Sequence, residues 1–233
     1  MSDGMYVGMT AMSSRQRELE AIADNLANAD TPGFKANMYA FETFFPDGAD
    51  GNMASVAAVD AGLDHRTGLI RQTGNPLDVI PAGENYFQVE MKNGDMGFTR
   101  NGHLTVQPDG TLTIAGNPVM SEGGSPIVVP PDAPVRISAD GTIWSGDNRI
   151  EQLGTYSLEG ELERVSASIV KAKNGESEMA DNRVRVGEIE LSNISALEAS
   201  VDMMHTQRLF DHAVQAVQTY RKIDDRAIQV GKV

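Results

Sequence analysis

The sequence predicts an α+β protein in which long, coiled-coil-like N- and C-terminal helices flank a central, mostly antiparallel β domain. Near both ends, apolar residues recur every three or four positions, which is the period of one helix face. Between the ends, short alternating runs are separated by Asn-Gly and Asp-Gly pairs, which favour hairpin turns. The 23 Gly and 10 Pro of the 233 residues agree with a turn-rich centre.

The N-terminal helix carries a heptad-like seam. Its spacing alternates between four and three residues, with Gln16 in the one gap and Ile22 widening the stripe. Gly4 and Gly8 weaken the first turns by about 1 kcal/mol each relative to alanine. The seam residues, which we predict to be assembly contacts, are Met5, Met9, Met12, Leu19, Ala23 and Leu26.

This helix is expected to end at a junction turn. The turn lies within the stretch NLANADTPGFK, and its predicted residues are Asn25, Asn28, Thr31, Pro32, Gly33 and Phe34. Pro at the second position and Gly at the third fit a type II turn, because Pro fixes φ and Gly accepts a positive φ. We therefore predict that the chain leaves the helix here and that Phe34 packs back.

The central region contains repeated hairpin signals. Residues 86–91 alternate sides and are followed by Asn93-Gly94, while Asp109-Gly110 separates two further short strands. The similar stretches PDGTLT and ADGTIW indicate one hairpin solution used twice. The predicted divisions are residues 1–33, an N-terminal helix and turn; 34–75, an extended linker; 76–187, a β domain; and 188–233, a C-terminal helix.

The C-terminal helix begins with the spacing of a capping box, Ser195 and Glu198. Its apolar stripe shifts phase near Arg208 and then continues through Phe210 to Ile223. Long helices with uncovered stripes predict packing against other subunits, because isolated helices gain most of their stability from burial. The assembly residues predicted on this helix are Leu197, Val201, Met204, Val214 and Val217.

Composition argues against several functional classes. A net charge of −14 disfavours nucleic acid and anionic membrane surfaces. The absence of cysteine excludes disulfides and thiolate sites, and the four histidines lack a metal-binding pattern. No catalytic motif, Sec signal or membrane span is apparent. We expect a non-enzyme with no cofactor, no metal, no catalytic residues and no membrane insertion.

Several motifs together resemble the flagellar basal-body rod, hook and hook-associated family. They are NLANADTPGFK, TGNPLDVIPAGENYFQV, GFTRNGHLTVQPDGTLTIAGNPVM and the C-terminal LSNISALEASVDMMHTQRLFDHAVQAVQTYRKIDDRAI. The resemblance implies a subunit of the periplasmic rod that transmits torque and assembles through its terminal helices. It also implies partners: other copies, other rod subunits and the flagellar type III export apparatus. The chain length favours the proximal rod over the distal rod.

Two alternatives from other classes follow from the residues alone. A secreted oligomer could bind a glycan or surface polymer through its β domain, and residues 66–187 would then retain binding. A hydrolase could use carboxylates on the β-turn loops, which requires acids that converge in a pocket.

Overall fold

The structure, a computed structural model, describes residues 3–44, 55–130, 134–173, 175 and 177–230. Two long helices lie near the ends of the chain, α1 (Asp3–Ala27) and α2 (Ala196–Val230), and the described residues between them form only strands and turns. The predicted α+β class is confirmed. Neither helix is long and apolar enough to cross a membrane.

Eighteen short strands separate the helices in the described part of the chain. In chain order they are β1 (Asn37–Phe44), β2 (Ser55–Leu63), β3 (Ile70–Gln72), β4 (Val79–Pro81), β5 (Tyr86–Glu90), β6 (Met96–Thr99), β7 (Leu104–Val106), β8 (Leu112–Ile114), β9 (Asn117–Pro118), β10 (Val135–Ile137), β11 (Thr142–Ser145), β12 (Asn148–Gln152), β13 (Thr155–Leu158), β14 (Leu162–Ser166), β15 (Ile169–Ala172), β16 (Ser177–Met179), β17 (Val184–Val186) and β18 (Glu188–Glu190).

The chain forms two compact units. The helical unit contains α1, α2 and residues 37–61, and the β unit contains residues 28–36 and 62–194. Strands β1 and β2 pair with each other and lie in the segment predicted as an extended linker. The residues of the junction turn beyond α1 therefore group with the β unit.

The β unit is built on a six-stranded sheet in the order β14-β15-β6-β5-β13-β16. Successive residues of β5 face opposite sides of this sheet: Phe87 and Val89 join the main apolar core, and Tyr86 joins a smaller cluster with Phe98 and Leu162. This alternation is what the sequence of residues 86–91 predicts. The main core also draws apolar side chains from β4, β7, β8, β10, β11, β15 and β17.

The predicted Asp-Gly hairpins are confirmed. β7 pairs with β8 around Asp109-Gly110, and β10 pairs with β11 around Asp140-Gly141. Both glycines have positive φ, and each aspartate Oδ1 accepts a hydrogen bond from the backbone N–H two residues later. The two stretches thus use the same turn chemistry.

Strands from the start of the β unit's sequence pair with strands from its end. β17 pairs antiparallel with β4, and β18 pairs antiparallel with β3. β18 ends at Glu190, a few residues before α2 begins. The residues that enter the β unit and those that leave it are consequently neighbours.

Candidate assembly surfaces and junction

The two terminal helices pack against each other as an antiparallel pair within the helical unit. Gly8 of α1 lies against Val217 of α2, and Glu18 lies against Thr206. Because the higher number on one helix meets the lower number on the other, the helices run in opposite directions. An ideal helix of 35 residues is about 52 Å long, so α2 is long for a chain of this size.

The buried face of α1 is mostly small or polar. Among its described side chains, the buried positions are Gly8, Ser14, Glu18, Ile22 and Asn25. The predicted seam lies beside this face: Leu19 directly follows Glu18 and therefore points about 100° away. Of the seam residues, Ala23 is exposed and the remainder are half-buried, namely Met5, Met9, Met12, Leu19 and Leu26.

The predicted residues of α2 divide between two faces. Val214 and Val217 are half-buried on the side that carries the buried Ala199 and Thr206. Leu197, Val201 and Met204 are 78%, 52% and 57% exposed and lie about half a turn away from that side. The phase shift near Arg208 thus marks the change from an outward stripe to an inward one. We call Leu197, Val201 and Met204 the outer stripe.

A carboxylate occupies the centre of the helix pair. Glu18 Oε2 accepts a hydrogen bond from Arg15 Nη1 at 2.6 Å, and Glu18 Oε1 accepts one from Thr206 Oγ1 at 3.1 Å. Burial, reinforced by the charges of Glu18 and Asp202, raises the pKa of Tyr39 on β1. The apolar pattern of the sequence does not predict that Glu18 is buried, because Glu18 lies outside the seam of α1.

The junction turn follows the predicted chemistry. Phe34 N donates to Thr31 O at 3.3 Å, and Gly33 has a φ of +68°. Pro32 is half-buried, and Thr31 Oγ1 donates to Asn28 Oδ1 at 3.3 Å. A Cβ on Gly33 would lie 2.2 Å from the backbone N of Asn101. Glycine is thus required both for the turn and for the close approach of two backbones.

Phe34 packs back into the β unit, as expected. Its side chain is fully buried, and the guanidinium carbon of Arg164 lies 4.0 Å from the ring centroid. Arg164 also donates to the backbone oxygen of Lys35. The cation and the ring together cover the turn on one side.

Lys35, the residue after Phe34, belongs to a buried ion cluster. Lys35 Nζ donates to Glu190 Oε1 at 2.8 Å, and Arg100 Nε donates to Glu190 Oε2 at 2.7 Å. Burial lowers the pKa of Lys35 despite its contact with Glu190. Burial of Glu190 opposes its ionisation, but Arg100 and Lys35 outweigh that effect and hold its pKa below the ordinary value.

The remaining polar groups of this cluster are satisfied by backbone atoms. Lys35 Nζ also donates to Arg66 O at 2.8 Å, and Gly68 N donates to Glu190 Oε1 at 3.1 Å. Arg100 Nη1 donates to the carbonyls of Gly83 and Asn85. The cluster therefore fastens segments that are distant in sequence. We call Lys35, Arg100 and Glu190 the junction triad.

Two asparagines bind backbone on either side of Ala36. In the helical unit, Asn25 accepts from the N–H of Asn37 at 2.8 Å and donates to its carbonyl at 3.0 Å. In the β unit, Asn193 accepts from Ala36 N at 2.8 Å and donates to Asp64 O at 2.9 Å. Each side-chain amide substitutes for a strand partner. Asn25 was predicted from its motif, whereas Asn193 was not.

Titratable groups elsewhere are dispersed. His103 Nδ1 lies 2.7 Å from Asp78 Oδ1, while His65, His205 and His212 are exposed. Among the described residues, no group of three or more His, Cys, Asp or Glu side chains could hold a metal ion.

Three family models match the chain. The flagella basal body rod protein model matches residues 5–35, the flagellar hook protein FlgE/F/G D1 domain matches 82–145, and the flagellar basal body rod FlgEFG protein C-terminal model matches 185–230. The first contains nearly all of α1 and the junction turn. The third contains Glu190, Asn193 and all of α2.

Full-length relatives agree with these matches. The flagellar basal-body rod protein FlgF of Salmonella typhimurium is 34% identical, with 99% of this chain and 98% of that protein covered. The FlgF protein of Escherichia coli is 33% identical, with 97% of this chain and 96% of that protein covered. A FlgG protein of Agrobacterium fabrum is 27% identical, with only 41% of this chain and 43% of that protein covered. The predicted resemblance is confirmed: the chain belongs to the flagellar basal-body rod protein family and is a structural subunit of the rod.

Proposed function

We propose that this subunit builds the proximal rod by pairing its helices with those of other copies and of other rod subunits. The observation that carries the proposal is the outer stripe, whose three apolar side chains are exposed on the face of α2 opposite the α1 contact. Leaving such a stripe in water is unfavourable, and covering it contributes roughly 25 cal/mol per Å² of apolar area. A surface of this kind marks an interaction site.

The seam of α1 supplies the complementary surface. Its half-buried methionines and leucines recur at the same four-and-three spacing as Leu197, Val201 and Met204. Contacts repeated head to tail between copies generate a helical assembly when the rotation does not close. In this proposal the junction turn separates the polymerising helices from the β unit, and torque passes through buried surfaces. The subunit makes and breaks no covalent bond, and it reaches the periplasm through the flagellar export apparatus.

Aspartate substitutions test the outer stripe. Leu197→Asp or Met204→Asp should leave helix content and Trp144 fluorescence unchanged, because both side chains are exposed, yet abolish rod completion. A charged group in a subunit interface remains unpaired and costs several kcal/mol. The readouts are motility and electron microscopy of basal bodies in cells that carry only the variant. Leu19→Asp provides the matching change on the seam of α1.

Gln218→Asp is the matched control, since it places the same charge at an exposed polar position of α2 away from the outer stripe. Cells with this variant should swim normally. Normal rods from Leu197→Asp and Met204→Asp would reject the outer stripe as an assembly surface.

A further inference from the structure

The contact between Glu18 and Thr206 lies on the buried face of α1, which is mostly small or polar. Glu18 is 7% exposed and Thr206 is 2% exposed, so both polar groups are almost completely removed from water. The described buried neighbours on the same faces include Ser14, Ile22 and Ala199. Glu18 is satisfied by Thr206 on one oxygen and by Arg15 on the other.

Such a helix pair needs something other than apolar area to fix its alignment. Apart from Ile22, the described buried side chains of α1 are small or polar, and they offer similar contacts when one helix slides by a turn along the other. A buried polar contact distinguishes these alignments, because any slip leaves the desolvated Oε1 of Glu18 without the Thr206 hydroxyl. The same penalty applies if the apolar seam of α1 takes the place of its polar face against α2.

We propose that the Glu18–Thr206 hydrogen bond sets the register of α1 on α2 and selects the helix of the same chain as its partner. The polar face of α1 is then committed within the subunit. The outer stripe of α2 and the seam of α1 remain available to other copies, an inference that rests on the proposed function. Glu18 and Thr206 are positioning residues for assembly, with Arg15, Tyr39 and Asp202 around them.

A disulfide reporter can measure the register, since the chain has no cysteine of its own. A Cβ on Gly8 would lie 3.9 Å from the Cα of Val217, so Gly8→Cys with Val217→Cys reports the observed register. Gly8→Cys with Ala213→Cys and Val217→Ala reports a slip of about one turn. In otherwise native protein, we expect the first pair to close at least about tenfold faster.

Thr206→Val removes the hydroxyl and keeps the shape. In dilute protein it should lower the ratio of the two closure rates at least about threefold and increase disulfide-linked dimers. Thr219→Val is the control, because the Thr219 hydroxyl is exposed and bonds only to the carbonyl of Gln215 within the described contacts. An unchanged ratio in Thr206→Val, equal to that of Thr219→Val, would overturn the proposal.

A second variant separates register from stability. Glu18→Leu with Thr206→Val replaces the polar contact by an apolar one, so helix content should persist while the rate ratio falls and dimers increase. Retention of a single register would overturn the proposal. The rod assay on Leu197→Asp is independent of these rates. Normal rods from that variant would reject the outer stripe and leave the register result standing.

Discussion

The β unit and the helical unit bury different kinds of side chain. Among its described residues, the β unit encloses a main core of fourteen buried apolar side chains, and its buried triad pairs two cations with one carboxylate. The buried face of α1, in contrast, contains a single large apolar residue among its described side chains, Ile22. Apolar burial is the main favourable term in folding. The β unit is therefore organised to be stable within one chain.

The helical unit places its larger apolar side chains elsewhere. Larger apolar side chains of both helices lie on faces that the partner helix does not fully cover, and three exposed ones on α2 form the outer stripe. Under the proposed function, a polymerising segment thus keeps the side chains that drive assembly off its internal contacts.

The largest effect is expected at the junction triad. Glu190→Gln keeps the side-chain shape but leaves Lys35 and Arg100 buried without an anion, which should lower the free energy of unfolding by about 3–5 kcal/mol. Trp144, the only tryptophan of the chain, lies on β11 and reports unfolding of the β unit in urea.

Glu161→Gln is the control for that change. Glu161 forms an exposed ion pair with Lys173, and such a pair contributes at most about 1 kcal/mol. If both variants unfolded at similar urea concentrations, the triad would not stabilise the β unit in the way its geometry indicates.

A somewhat smaller loss is expected at the turn. Gly33→Ala forces a side chain into positive φ and into the backbone of Asn101, and we expect a loss of about 3 kcal/mol by Trp144 fluorescence. Gly94→Ala separates the two causes: Gly94 has a φ of +81° with no atom within 4 Å of the added Cβ. It should cost only about 1 kcal/mol. Equal losses would show that the backbone contact is unimportant.

Local chemistry explains which features the sequence predicts well. The helices follow from apolar periodicity, and the hairpins at Gly110 and Gly141 follow from the turn preferences of Asp-Gly. The turn at Gly33 and the cap at Ser195, whose Oγ accepts from Glu198 N at 3.4 Å, also depend only on neighbouring residues. These features are encoded within a few positions of each other.

The junction triad has no such local signal. Lys35 and Glu190 are 155 residues apart, and Lys, Arg and Glu are usually exposed. Apolar periodicity likewise identifies a seam on α1. It cannot indicate which face of α1 packs against α2, because that choice depends on the distant Thr206. Prediction from sequence fails where polar groups meet across long separations. The roles of the seam and the outer stripe in assembly remain predictions.

The smallest effect tests whether Gly8 serves the helix contact or merely weakens α1. In isolation, Gly8→Ala should stabilise the helix by about 1 kcal/mol. In the helix pair, the new Cβ would lie 2.7 Å from Val217 Cγ2, so the helices must separate or Val217 must move. We expect Gly8→Ala to destabilise the helical unit by about 1 kcal/mol when residue 217 is valine, and to stabilise it by a similar amount in a Val217→Ala background. Far-ultraviolet circular dichroism during urea unfolding measures the change in stability in both backgrounds.

The same effect in both backgrounds would mean that Val217 does not restrict the size of the side chain at residue 8, and that this glycine only weakens the first turns. A change of sign would instead show that a residue unfavourable for the isolated helix permits the close approach by which α1 and α2 pair.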